Sequence, residues 1–112
     1  MNAPTVYLID DDDSFLRATA RMLRASGYHV SPHTSAEDFL AHLDLTASGC
    51  VVTDLEMPGM DGMALQEKLG TALPFVFLTA HGDIPVTVHA MRRGAEDFLT
   101  KTTPRGPLLA AI

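Results

Sequence analysis

Apolar residues along the chain fall into short runs at regular intervals: Val6–Ile9, Tyr28–Val30, Cys50–Thr53, Phe75–Thr79 and Ala95–Thr100. Each run has the length and the β-branched or aromatic content of a strand, and helical spacing fills the stretches between them. In the first of these stretches Phe15, Ala18, Met22 and Leu23 form one apolar stripe, with Arg17, Arg21 and Arg24 turned away. Asp13 is expected to cap that helix, Asp12 is open to the same role or to the strand-end chemistry, and Gly27 is expected to end the helix. Ser35 caps the second helix, which carries Glu37 and Asp38 in its first turn and turns Phe39, Leu40 and Leu43 inward. A third helix is predicted from Gly62 to Leu69, and a fourth from the Asp83 cap through Val88 and Met91 to Gly94. A fifth starts near Pro104 or Pro107 and is cut short at Ile112.

Alternation of this kind implies βαβ crossovers and one parallel sheet covered on both faces. Phe75-Val76-Phe77-Leu78 is apolar without interruption, as a strand buried on both faces must be. The fold class is therefore α/β, a doubly wound five-stranded parallel sheet, for which the order 2-1-3-4-5 is the expectation. The chain, residues 1–112, makes one domain, and the short last helix suggests the front part of a longer protein.

In such sheets the chemistry lies beyond the carboxyl ends of the strands. The first strand ends in the run Asp10-Asp11-Asp12-Asp13, the third on Asp54, the fourth on Thr79, and the fifth leads into Lys101. The second ends in Ser31-Pro32, which offers nothing chemical. In the order 2-1-3-4-5 the second strand is an edge, so the four chemically equipped strands are contiguous. Carboxylates gathered at one edge repel each other, by ~1 kcal/mol even in water, and a divalent cation is the natural compensation. Asp10, Asp11 and Asp54 supply the hard oxygen ligands that Mg²⁺ (or Mn²⁺) prefers. Lys101 can neutralise a phosphoryl oxygen, and the Thr79 hydroxyl can donate to another. Asp54 stands alone at a central strand and is the expected nucleophile, forming an aspartyl phosphate.

Composition narrows the alternatives. The chain has 14 acidic and 8 basic residues, a formal charge of −6, and no basic run, so it does not itself grip nucleic acid. No segment approaches the ~20 apolar residues of a membrane span, and a single cysteine, Cys50, suits a reducing, cytoplasmic setting. Cys50 reads as a small buried thiol. The five histidines, His29, His33, His42, His81 and His89, show no metal-ligand spacing. Neither a G-x-S-x-G elbow nor a glycine-rich phosphate loop is present.

Four ordered motifs make the chain resemble a two-component response-regulator receiver domain, with its flavodoxin-like fold. They are Leu8–Asp11, Thr53–Gly62, Leu78–Asp83 and Gly94–Lys101. The stretch Thr79–Pro85 is most similar to the FixJ-like subgroup, whose members usually carry a helix-turn-helix output domain. The resemblance implies that Asp54 accepts a phosphoryl group from a sensor histidine kinase, with self-catalysed phosphorylation and dephosphorylation but no enzymatic turnover of a separate substrate. It implies Mg²⁺ held by Asp11, Asp54 and the backbone carbonyl of Glu56, with Asp10 acting through water. It also implies a switch pair, Thr79 and Phe98, and a homodimer through the fourth helix and fifth strand on phosphorylation. Glu56 and His81 fall where the family tunes phosphate lifetime, and Ala80 is suitably small beside the site. DNA would be reached only through the output domain. One departure stands out: the family usually has proline after this lysine, joined by a cis bond, whereas Thr102 follows here. A cis bond before a non-proline costs ~3 kcal/mol, so a trans or rebuilt loop is expected.

Two other readings compete. A phosphohydrolase of the haloacid-dehalogenase sort would use Asp10 as nucleophile and Asp12 as acid/base. The D-x-D spacing permits it, but its usual glycine-threonine continuation is missing and no room remains for a cap domain. The third reading is an interaction module that keeps the fold without being phosphorylated.

Overall fold

The structure is a computed structural model that describes residues 5–43, 48–70, 72–80 and 84–101, with the backbone alone at 84–86. The expected Asp83 cap, His81, the fifth helix and the Lys101–Thr102 bond lie outside the described residues.

Nine elements alternate along the chain: β1 (Thr5–Ile9), α1 (Asp13–Ala25), β2 (His29–His33), α2 (Ala36–His42), β3 (Gly49–Asp54), α3 (Gly62–Leu69), β4 (Phe75–Thr79), α4 (Ile84–Arg92) and β5 (Asp97–Thr100). The strands form one sheet in the order β2-β1-β3-β4-β5, and every pairing is parallel. This is the doubly wound receiver-type sheet read from the sequence.

Strand periodicity divides the core into two layers. Tyr7, Ile9, Val51, Phe75 and Phe77 point toward α2, α3 and α4, where they meet Phe39, Leu65 and Ala90. Val6, Leu8, Cys50, Val52, Val76 and Leu78 point the other way, onto Leu16, Ala20 and Leu23 of α1. Cys50 is buried, and burial pushes its thiol up to about 11, so it stays protonated and unreactive.

Four local expectations shift. Asp12, not Asp13, caps α1: its side chain accepts from the Phe15 N–H at 3.2 Å. The buried stripe of α1 is Leu16, Thr19, Ala20 and Leu23, about one residue round from the expected face. That rotation puts two leucines onto Val6 and Leu8 and leaves the small Ala18 outside, where little apolar area is lost. β2 continues past Val30 through Pro32 to His33, which an edge strand permits because proline there breaks no ladder hydrogen bond that the sheet needs. β5 starts only at Asp97, because Ala95 is still closing α4 through its N–H to the Ala90 carbonyl, after Gly94 at φ 97°.

Register sets the functional edge. Ile9 pairs with Thr53 and Thr79 with Thr100, so Asp10 and Asp54 emerge side by side and Lys101 emerges beside the end of β4. Below this edge Gly62 starts α3 in close contact with the β3 terminus. Its N–H donates to the Leu55 carbonyl at 2.9 Å, and a Cβ there would sit 2.5 Å from the Asp54 carbonyl oxygen and 3.1 Å from the Phe77 ring. Only glycine lets α3 pack this near the residue that ends β3.

Candidate functional site

Asp10 leaves β1 with its backbone N–H still donating to the His33 carbonyl at 3.1 Å. Its Oδ1 accepts from the Asp12 N–H at 2.9 Å, a local turn that fixes the carboxylate. The other oxygen, Oδ2, is buried and pairs with the Lys101 ammonium, whose Nζ stands 2.8 Å from it. Asp54, the last residue of β3, is 6% exposed. Its Oδ1 accepts from the Glu56 N–H at 3.4 Å, and its Oδ2 lies 3.4 Å from the same Lys101 ammonium. Lys101 is aimed by its backbone, whose N–H donates to the Thr79 carbonyl at 2.7 Å, and by Phe15, whose ring centre lies 4.7 Å from Nζ. Asp11 is exposed, yet it offers an oxygen within 4.8 Å of those of Asp10 and Asp54.

Three carboxylates thus gather at one edge, and the Lys101 ammonium pairs with two of them, Asp10 and Asp54. The imbalance shows in Asp54, whose carboxyl is pushed up to about 6, first by burial and then by the charge of Asp10. Lys101 and the Glu56 N–H work against that rise without cancelling it. For Lys101, burial opposes the charge, but hydrogen bonding and attraction from Asp10 and then Asp54 prevail and hold it above the usual lysine range. Such a pocket suits a hard divalent cation: its donors are all oxygen, they lie within reach of one ion, and negative charge is in excess. Asp12 is exposed and caps α1, its Oδ1 accepting from the Phe15 N–H.

A family model described as the response regulator receiver domain matches residues 6–112. The chain belongs to this family. It is 43% identical over 111 residues to the tetrathionate response regulatory protein TtrR of Salmonella typhimurium, covering 96% of this chain and 54% of that protein. To the transcriptional regulatory protein FixJ of Rhizobium meliloti it is 40% identical over 111 residues, with 96% and 54% covered. Among solved structures, the receiver fragment FixJ-N matches with a TM-score of 0.89 at 38% identity, over 99% of this chain and 91% of that one. The response regulator StyR matches with a TM-score of 0.90 at 45% identity, over 99% and 58%. The chain spans about half the length of the curated relatives it matches. It is a FixJ-like receiver domain, the signalling domain of two-component response regulators.

Of the other residues expected in this receiver domain, Thr79 reaches the same edge, and Phe98 pairs with Phe77 two residues below it. Thr79 ends β4 and is buried. Phe98, in β5, is partly buried, with its ring centre 5.9 Å from that of Phe77. The Glu56 N–H faces Asp54, which places its peptide unit at the rim of the acidic pocket.

Two supporting residues escaped the sequence reading. Glu37 Oε1 accepts from the Met60 N–H at 2.9 Å, tying the start of α2 to the β3–α3 loop, where Gly59 at φ 73° passes close to the same carboxylate. In sequence it looked like a first-turn acid and nothing more. Gln66, buried in α3, donates from Nε2 to the Ala90 carbonyl at 3.3 Å and so joins α3 to α4. Among the described residues no helix is long and apolar enough to cross a membrane.

Proposed function

We propose that this receiver domain takes a phosphoryl group on Asp54 from the phosphohistidine of a sensor histidine kinase, and that the modification controls an output domain beyond residue 112. The observation that carries the proposal is the placing of Asp54 between Asp10 and Lys101, with a single ammonium spanning both carboxylates. In the transfer an Asp54 oxygen forms the new P–O bond as the P–N bond breaks, and the departing imidazole takes a proton from solvent. With its carboxyl near 6, Asp54 is mostly ionised at pH 7 and able to attack. Asp10, Asp11 and Asp54, with the Glu56 carbonyl, would hold Mg²⁺. When bound, the ion supplies positive charge opposite the phosphoryl oxygens.

Lys101 exchanges its pairing with Asp54 for one with the incoming phosphoryl group, keeping Asp10 as its anchor. Thr79 then turns its hydroxyl to the phosphoryl group, and Phe98 moves into the space this leaves. The change reaches the surface through α4 and β5, where Val88 and Met91 are exposed apolar residues suited to a homodimer. A receiver at half the length of its relatives fits a protein whose remainder contacts DNA, as the names of the transcriptional regulators in the family suggest.

Phosphoramidate carries the same P–N bond as phosphohistidine and stands in for the kinase. Incubated with it and Mg²⁺, the protein is expected to gain one phosphoryl group by intact-mass measurement, and none with excess EDTA. Equal uptake in EDTA would remove the cation from the account.

A further inference from the structure

The extension of β2 to His33 brings together a set of side chains that the acidic pocket does not use. His33 is 8% exposed at the side chain, and its Nδ1 lies 2.7 Å from Asp38 Oδ2. His42, one turn further along α2 and 68% exposed, presents Nδ1 3.4 Å from Asp38 Oδ1 while donating to the Asp38 backbone carbonyl at 2.8 Å. One donor atom from each of the three residues lies within 4.8 Å of the other two. The sequence hid this arrangement, because its ligands come from a strand end and a helix face and not from a recognisable spacing of histidines.

We propose that His33, Asp38 and His42 form a second cation site, suited to a borderline divalent metal such as Zn²⁺.

The donor set is the first reason. Two imidazoles and one carboxylate are what zinc takes in three-ligand sites, and they do not suit Mg²⁺, which demands oxygen. Geometry is the second. Ligands about 2.0–2.1 Å from a tetrahedral ion stand about 3.3 Å apart. The Asp38–His42 pair is already at 3.4 Å, and His42 Nδ1 ligates by giving up its proton and its bond to the Asp38 carbonyl. The His33–Asp38 pair needs to open by only about half an ångström as the ion replaces their shared proton. Support around the ligands is the third. The Ser31 hydroxyl lies 2.9 Å from His33 Nε2 and can accept its proton, which stabilises the tautomer with Nδ1 free to ligate. The edge of the His33 ring also packs on Phe39, 5.5 Å between ring centres, so this ligand is held before any ion arrives. Exposure of Asp38 and His42 leaves a side open for water as fourth ligand.

A bound ion would join the end of β2 to the last turn of α2. The same short helix carries Glu37, which holds the Met60 N–H, so the site lies one element away from the loop that rims the acidic pocket.

The test is calorimetric titration of the tag-free protein with Zn²⁺ in millimolar Mg²⁺, which competes with zinc for the acidic pocket. One equivalent is expected to bind, with zinc-edge X-ray absorption giving two nitrogens and one carboxylate oxygen at about 2.0–2.1 Å. His42→Ala and Asp38→Asn are solvent-facing changes that leave the buried His33 in place. Each should weaken binding at least about tenfold, a loss that even second-shell partners produce, while His89→Ala binds as wild type. Zinc should also raise the melting temperature of wild type and not that of His42→Ala. No uptake by wild type at micromolar Zn²⁺, or undiminished affinity in both His42→Ala and Asp38→Asn, overturns the proposal.

Discussion

Metal-free protein carrying Asp54→Asn should be more stable than wild type at pH 7, and the advantage should vanish near pH 4. The folded carboxyl titrates at about 6 against an ordinary value of 3.8, so between these values the folded state binds more protons than the unfolded one. Stability contributed by this group is therefore lost as pH rises from about 4 to about 6, and it stays lost above that. A shift of about two units corresponds to ~3 kcal/mol at most. Water on the open side of the pocket reduces that to about 2 kcal/mol. Asparagine keeps the shape and can still accept from the Glu56 N–H, but it brings no charge beside Asp10. Urea unfolding of both proteins in EDTA, at pH 4 and pH 7, gives the comparison directly. A variant less stable than wild type at pH 7, or a gap that ignores pH, would show that the pocket is not electrostatically loaded. Such behaviour is what a binding site looks like when its ligand charge is supplied from outside.

Lys101→Met should have the opposite effect on stability and a larger one on phosphoryl uptake. The methionine keeps most of the apolar stem against Phe15 but leaves the buried Asp10 Oδ2 with no positive partner. Removing one member of a buried ion pair costs about 3–5 kcal/mol, since the remaining charge is uncompensated. Lys101 is 18% exposed, so the low end, about 3 kcal/mol, is expected. Uptake from acetyl phosphate should slow by about a hundredfold or more, the effect of removing one preorganised donor from a site of developing charge. Adding Asp54→Asn to Lys101→Met should restore part of the lost stability, because the two sites touch at 3.4 Å and their effects do not add. Full additivity would mean that Lys101 acts on Asp10 alone.

What could be read from the sequence was what depends on short-range pattern. The strand ends carrying Asp10, Asp54, Thr79 and Lys101 agreed with the order 2-1-3-4-5 without having chosen it, and the parallel register set Asp10 beside Asp54. The bounds of α3 were visible because Pro58-Gly59 and Gly70 punctuate it, although the Asp61 cap was not foreseen. In the aspartate run every member is a good helix cap, so propensity could not choose Asp12 over Asp13. β2 stopped too early because Pro32 reads as a breaker, although on an edge strand it is not one. That misreading concealed His33. The Glu37–Met60 and Gln66–Ala90 bonds join residues 23 and 24 apart in sequence, and no local pattern marks such partners.

The central claim is that Asp54 is the phosphoacceptor and the neighbouring aspartates are not. Intact-mass measurement after incubation with Mg²⁺ and acetyl phosphate tests it most directly. Wild type should gain one phosphoryl group, while Asp54→Ala gains none and remains folded by circular dichroism. An undiminished gain in Asp54→Ala would contradict the account and move the reacting carboxylate to Asp10 or Asp11.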